Sequence, residues 1–320
     1  MEKFLITGFS GFVSRYFLDY LEKNDINAQV LGVDLLSPHF DIRDYRRIKC
    51  SFEKVDLLDK NQVDNIIYQF QPEYILHLAS YSSVAFSWKD PIASFRNNTS
   101  IFLNLIENVR ALNLQCRILS VGSSDEYGNV DEGDVPLRED HFLDPVSPYA
   151  VARTAQEMFS KVYVEGFGMD MVMTRSFNHI GPMQKDIFAV SSFAKQIVEL
   201  GKSGQNNGEV IVGNVGVVRD FLDVRDVVAA YYLLFKKGRK GHIYNVCSGR
   251  GVTLREIIEK MASIMGMDIK IKINESLIRP NDNRIIIGSN EKIGNDTGWN
   301  TTITLEDSLR DILDYWKTRV

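Results

Sequence analysis

Phe4-Leu5-Ile6-Thr7-Gly8-Phe9-Ser10-Gly11-Phe12-Val13-Ser14 runs from an apolar strand through a glycine turn into the start of a helix. Gly8 and Gly11 let the backbone come close to a pyrophosphate, and the helix N-terminus adds amides and a favourable dipole. Short apolar runs at Lys3–Thr7, Gln29–Asp34, Phe52–Val55, Tyr74–Leu78, Arg117–Val121 and Asp170–Thr174 read as strands. Helical patterns at Gly11–Lys23, Lys60–Phe70, Pro91–Leu112 and Pro148–Phe167 lie between them. This alternation predicts an α/β fold, a doubly wound parallel sheet of the Rossmann type. Past residue 176 the pattern is less regular, with turn-rich pieces at Gly201–Gly208 and Arg279–Asn283. Val224–Phe235 and His242–Val246 read as a helix and a strand that return to the sheet. The expected division is a nucleotide-binding domain of residues 1–176 plus about 216–246, and a smaller α/β substrate-binding lobe of residues 177–215 plus 247–320.

The bulk properties narrow the class. The 320 residues are 44% hydrophobic and 25% charged, as in a soluble globular protein. A net charge of -5 offers no electrostatic reason to bind nucleic acid or an anionic membrane. Cys50, Cys116 and Cys247 are odd in number and far apart, which suits buried thiols in a reducing compartment and no metal site. No apolar run has the length of a membrane span, and Met1-Glu2-Lys3 leads straight into a strand, so a cytoplasmic location is expected.

Asp34 ends the second strand. A carboxylate there accepts hydrogen bonds from adenosine ribose hydroxyls and repels a 2′-phosphate, so NAD is expected over NADP. Tyr149-Ala150-Val151-Ala152-Arg153 places a phenol and a cation four residues apart, on one helix face about 6 Å apart along the axis. A positive neighbour favours phenolate, so such a pair forms an acid/base unit. His77, inside a strand, reads as a packed core histidine.

Thr7–Ser14, Val121-Gly122-Ser123-Ser124-Asp125-Glu126-Tyr127-Gly128 and Tyr149–Arg153 together resemble the extended short-chain dehydrogenase/reductase family. Two positions depart from it. Ser14 stands where the family fingerprint has its last glycine, and Arg153 stands where its Tyr-x-x-x-Lys motif has lysine. The resemblance implies Tyr149 as proton donor in reduction and base in oxidation, with Ser123 bonding the oxygen of the reacting carbon. It also implies Gly8, Gly11, Phe12, Val13, Asp34, Asp56, Leu57, Leu78, Ala79, Ser80, Tyr149 and Arg153 around the cofactor. Arg153 keeps its charge and can bond ribose hydroxyls, but it does not deprotonate near neutrality and so cannot join a proton relay. Lys161 is no substitute, lying about 18 Å from Tyr149 along the same helix. Activity that is reduced or restricted in pH is therefore expected. Asp125 occupies the place of the acid that eliminates water in the 4,6-dehydratases of the family, and Glu126 is expected to point away.

Arg175-Ser176-Phe177-Asn178-His179-Ile180-Gly181-Pro182, Val217–Phe221, Arg279–Asp282, Phe193–Val198 and Tyr244–Gly249 are most similar to the GDP-4-keto-6-deoxy-D-mannose reductases, and less so to the GDP-mannose 4,6-dehydratases. By this resemblance Asn178 contacts substrate beside the nicotinamide. Lys195, Arg219 and Arg279 face the diphosphate and nucleoside of a GDP-sugar, where charge-assisted bonds suit a pyrophosphate. Asp282 replaces a ribose-binding Glu, Ser82 and Ser83 touch the hexose, and His179 is either substrate-facing or structural. The expected reaction is hydride transfer at C4 of a GDP-linked manno-configured sugar. NAD-dependent C4 dehydrogenation of a GDP-manno-hexose or heptose, 4,6-dehydration, and a nucleotide-binding regulatory protein stay open beside it. A homodimer or higher homo-oligomer is implied, packed through Pro91–Leu112 and Pro148–Phe167.

Overall fold

The computed structural model describes residues 1–204, 207–278 and 283–320. The strands are β1 (Glu2–Thr7), β2 (Ala28–Asp34), β3 (Ile48–Lys54), β4 (Tyr74–His77), β5 (Arg117–Ser123), β6 (Asp170–Ser176), β7 (Asn178–Ile180), β8 (Asn207–Val212), β9 (Val218–Asp223), β10 (Ile243–Val246), β11 (Gly251–Thr253), β12 (Asp268–Ile273) and β13 (Ile285–Ile286). The helices are α1 (Phe12–Lys23), α2 (Lys60–Phe70), α3 (Val84–Lys89), α4 (Pro91–Phe95), α5 (Ile101–Ala111), α6 (Pro148–Phe167), α7 (Ala189–Lys202), α8 (Val224–Lys237), α9 (Leu254–Met265), α10 (Glu291–Thr297) and α11 (Leu305–Lys317).

Seven strands form one parallel sheet in the order β3-β2-β1-β4-β5-β6-β10. Alternation along each strand feeds two cores. From β1, Phe4 and Ile6 join Phe17, Leu18 and Leu21 of α1 and Tyr231, Leu234 and Phe235 of α8 on one face. Leu5 points the other way, to Ile66 of α2, Phe102 and Leu105 of α5, and Tyr163 of α6. A third core holds α7, α9 and α11 against β8 and β12, through residues such as Phe193, Ile197, Val210, Ile257, Met261 and Leu309. β9 joins the remaining short strands, pairing in parallel with β7 and β13 and antiparallel with β11. No described helix is long and apolar enough to cross a membrane.

The elements differ from expectation in three places. β3 starts four residues before the expected Phe52, because this edge strand alternates Ile48, Cys50 and Phe52 inward with Lys49, Ser51 and Glu53 outward. Only its end reads as apolar. The single helix expected over Pro91–Leu112 is α4, a π turn at Arg96–Ser100 and α5. The extra residue of a π turn re-aims side chains without any sequence signature, and here it buries Asn98 and Thr99. Asn98 Oδ1 accepts from Tyr81 N at 2.9 Å, so the turn pins the loop that follows β4. α3 has no counterpart among the expected helices; Ser83 Oγ caps it by accepting from Phe86 N at 3.2 Å.

His77 is fully buried in β4, with Nδ1 2.9 Å from Thr7 Oγ1. Burial, aided by the Arg153 charge, lowers its pKa from 6.5 to about 3. The unfolded chain therefore binds this proton near pH 6.5, whereas the fold resists it until about pH 3. The stability linked to neutral His77 is complete above pH 6.5 and is lost as pH falls toward 3. Between pH 7 and pH 5 this single group should cost about 2 kcal/mol of unfolding free energy. Urea titrations at both pH values should show that the drop is smaller by about that amount in His77→Gln. An unchanged drop would show that His77 titrates normally in the fold.

Candidate functional site

Strand order reverses between β1 and β4, which leaves a crevice at their carboxyl ends. Gly8 turns there with φ +68, and a Cβ on it would lie 2.7 Å from Ala79 N. Only glycine fits. Gly11 is the N-cap of α1 and has no side chain to cap the amides of the first turn, which leaves them for an anion. Ser14, in the place of the third glycine, is fully buried; its hydroxyl bonds Phe9 O and lies 3.0 Å from Gly11 O. The serine thus ties the turn down from behind. The Phe12 ring packs edge-on to Tyr16, while Val13 is half-buried beside it.

Asp34 at the tip of β2 is half-buried; Oδ2 accepts from Ser10 N at 3.0 Å and Oδ1 from Leu36 N at 3.1 Å. Its remaining lone pairs suit a ribose diol. Asp56 Oδ1 accepts from Leu58 N at 2.9 Å, and Leu57 is buried beneath. Leu78 N donates to Thr7 O at 3.2 Å and Ala79 N to Thr7 Oγ1 at 3.2 Å. Ser80 Oγ is buried with no hydrogen-bond partner among the described residues. A close-approach glycine, uncapped helix amides, a strand-tip carboxylate and an orphaned hydroxyl together fit a dinucleotide.

A second group gathers where β5 ends against α6. Ser147 caps α6 by accepting from Ala150 N at 3.1 Å, and Pro148 follows it, which sets Tyr149 in the first turn. Arg153, one turn on, is 4% exposed, and its Nε donates to Tyr149 Oη at 3.3 Å. Arg153 Nη1 reaches across to β5, donating to Val121 O at 3.1 Å. Ser123 lies two residues further along that strand. Its Oγ accepts from Asp125 N at 3.2 Å, so its own proton is available to another oxygen. Asp125 is half-buried on the turn that follows.

Glu126 does not point away as expected. It is fully buried, and Oε1 accepts from Ser123 N at 2.6 Å in a capping box. Burial, reinforced by Glu157, drives its carboxyl well above the usual range. Gly122 makes room for it, since a Cβ there would lie 2.4 Å from Glu126 Oε1. Arg175 and Glu157, both buried, are paired at 2.8 and 3.0 Å, and the Arg175 guanidinium lies 4.7 Å from the centre of the Tyr127 ring. Lys161 is taken by Glu157 at 2.9 Å. Sequence reading misses all of these inward roles. The available signal is a charged residue inside a strand or helix otherwise set to be buried.

On β7, Asn178 is exposed and its Nδ2 lies 3.4 Å from Asp220 O of β9. Arg219 Nη1 donates to Val218 O at 2.9 Å. Asp220, given no role of its own in the sequence reading, is buried and accepts from Ser248 N, Ser248 Oγ, Gly249 N and Gly288 N at 2.6–3.3 Å. It ties two loops to β9 at one point. Ser82 is exposed, and Ser83 is occupied in capping α3. Lys195 is turned to Asp186 at 2.8 Å and lies over Trp316. His179 Nδ1 lies 3.1 Å from Phe177 O. Arg279 and Asp282 lie outside the described residues.

The family described as GDP-mannose 4,6 dehydratase matches residues 5–312. The GDP-6-deoxy-D-mannose reductase of Pseudomonas aeruginosa is 34% identical over 319 residues, covering 100% of this chain and 98% of that protein. The solved structure of RMD from Pseudomonas aeruginosa complexed with NADPH is similar with a TM-score of 0.84 and 32% identity, over 100% of both chains. The UDP-glucose 4-epimerase of Thermus thermophilus in complex with NAD gives a TM-score of 0.86 at 27% identity, covering 99% of this chain and 100% of that one. The likeness runs over the full length of the chain. The chain belongs to the GDP-mannose 4,6-dehydratase family, NAD(P)-dependent nucleotide-sugar enzymes of the extended short-chain dehydrogenase/reductase type.

Proposed function

We propose that the protein reduces the C4 carbonyl of a GDP-linked 4-keto-6-deoxy sugar of manno configuration. The observation that carries this is the hydrogen bond from Arg153 Nε to Tyr149 Oη at 3.3 Å, at the buried end of β5. The Pseudomonas reductase that this chain resembles at 34% identity supports the choice of sugar. A reduced nicotinamide dinucleotide supplies the hydride when bound. As C4 becomes tetrahedral, the carbonyl electrons move to oxygen, and Tyr149 delivers its phenolic proton to that oxygen. Ser123 donates a hydrogen bond to the same atom. The phenolate left on Tyr149 is stabilised by the Arg153 N–H, which stays charged throughout. The proton is restored from solvent by a path that does not pass through Arg153.

Gly8, Gly11, Phe12, Val13, Asp34, Asp56, Leu57 and the Leu78–Ser80 backbone hold the dinucleotide. Asp34 favours NAD, since a second negative charge beside it would be repelled. Asn178, Arg219, Ser82, Ser83 and, through a shift away from Asp186, Lys195 hold the GDP-sugar; Arg279 and Asp282 complete that set. Residues 1–176 plus about 216–246 hold the dinucleotide and lend Ser82, Ser83 and Arg219 to the sugar nucleotide, which residues 177–215 plus 247–320 otherwise hold. The protein works in the cytoplasm as a homodimer. What supports the dimer is an exposed apolar stripe of Val151, Met158 and Val162 on α6, joined by Ile92 and Phe95 of α4.

Incubating the purified protein with NADH and GDP-4-keto-6-deoxy-mannose should consume NADH one-for-one with the reduced sugar nucleotide. Loss of water from GDP-mannose with no net change in absorbance would instead identify a dehydratase working through Asp125, and would overturn the reading. Tyr149→Phe should lower kcat by about 10²–10⁴, and Ser123→Ala by about 10². Wild type should prefer NADH over NADPH in kcat/KM, and Asp34→Gly should lower that preference by about tenfold or more. A native preference for NADPH would refute the role given to Asp34. Sedimentation of Met158→Asp/Val162→Lys should show monomers where wild type sediments as a dimer.

A further inference from the structure

Arg153 is a long, buried, always-charged side chain, and the orientation of its guanidinium plane decides what each N–H can reach. Nε–H goes to Tyr149 Oη at 3.3 Å. Both hydrogens of Nη1 are used inward, one on Val121 O at 3.1 Å and one on Gln156 Oε1 at 2.6 Å. Nη2 makes no hydrogen bond to any described residue. With Nη1 fixed by two acceptors the plane cannot swing, and the directions of Nε and Nη2 follow from it.

Gln156 is itself immobilised. It is 1% exposed, and Nε2 donates to Ser120 Oγ at 2.9 Å and to Val121 O at 3.1 Å. Ser120 Oγ in turn accepts from Ser160 Oγ at 3.1 Å, and Ser160 Oγ lies 2.9 Å from Gln156 O one turn earlier on α6. The amide cannot be flipped. Arg153 offers only donors, so the atom facing it must be the oxygen.

We propose that Gln156 is a positioning residue for proton transfer: it holds the Arg153 guanidinium so that Nε meets the Tyr149 hydroxyl, and it does so as a neutral acceptor. This rests on Tyr149 being the proton-transfer group. The neutrality is as important as the hydrogen bond. Among the described residues, Arg153 donates to a phenol, a peptide carbonyl and an amide, so no directly bonded anion compensates its charge. A carboxylate at 156 would keep the acceptor that faces Arg153, lose the donor to Val121 O, and divert part of the positive field from Tyr149. Arginine in the place of the family lysine thus comes with a specific neighbour that makes its longer fork usable.

The test is a set of variants read by steady-state kinetics across pH with the GDP-4-keto-sugar. Gln156→Leu should lower kcat by about 10- to 100-fold with little change in KM for the sugar nucleotide. In an Arg153→Lys background, which lacks the fork, the same change should cost less than about twofold. Gln156→Glu, with its folding checked by circular dichroism because the Nε2 donor is lost, should move the alkaline limb of the kcat profile upward by about one pH unit, since a negative neighbour of Arg153 disfavours phenolate. Equal losses from Gln156→Leu in both backgrounds would overturn the inference, as would an unmoved limb in Gln156→Glu. If Tyr149→Phe abolishes turnover while the Gln156 variants behave as wild type, only the inference fails. Full turnover in Tyr149→Phe would remove the reading beneath it as well.

Discussion

Arg153 carries a permanent charge at 4% exposure, in the seam between α6 and the end of β5. A buried guanidinium is strongly destabilising unless its N–H groups are paired. The pairing here comes from Val121 O on the strand and from Tyr149 and Gln156 on the helix. This constraint fixes how far α6 can slide along the sheet. A shift of one residue would part the charge from these acceptors, and would also break the Glu157–Arg175 pair that ties the same helix to β6. Two buried ion-bearing residues on one helix are each matched to a different strand, Arg153 to β5 and Glu157 to β6, and both matches hold only in this register.

The chemistry of the strand ends inherits that precision. Ser123 is held from both sides, by Glu126 at its amide and by the Asp125 amide at its hydroxyl. Tyr149 is held by helix capping and by Arg153. Across the sheet, Gly8 brings the β1 turn against the backbone after β4, and Asn98 pins that segment through Tyr81. Regular elements flanked by hydrogen-bonded turns position reacting groups better than free loops do. On β9, Asp220 collects the loops around Ser248 and Gly288 next to Arg219.

The departures from the family pattern turn out to be local solutions. Ser14 uses its hydroxyl to bond the turn that a glycine would merely accommodate. Arg153 uses atoms that a lysine lacks, since a planar fork can bond the strand, the helix and the phenol at once. In both cases the substituted side chain finds partners within the fold, the Ser14 hydroxyl on the turn and Nε and Nη1 of Arg153 on the phenol, the strand and Gln156.

Period and punctuation in the chain were sufficient for the parallel sheet, because apolar runs of strand length bounded by glycine and alternating with helical patterns have few other solutions. Gly8, Gly11 and Asp34 were legible for the same reason: their chemistry depends on neighbours within one turn or at a strand tip. Tyr149 and Arg153 were legible because four residues make one helical turn. Glu126, Gln156, Asn98 and Asp220 were not. Their partners lie on other elements or across a turn whose shape no local propensity encodes, such as the π turn at Arg96–Ser100. Sequence alone determined which groups were available and which faces were apolar. Only tertiary structure decided which buried polar atoms met, because the need to pair each one is settled by burial, and burial is a property of the assembled fold.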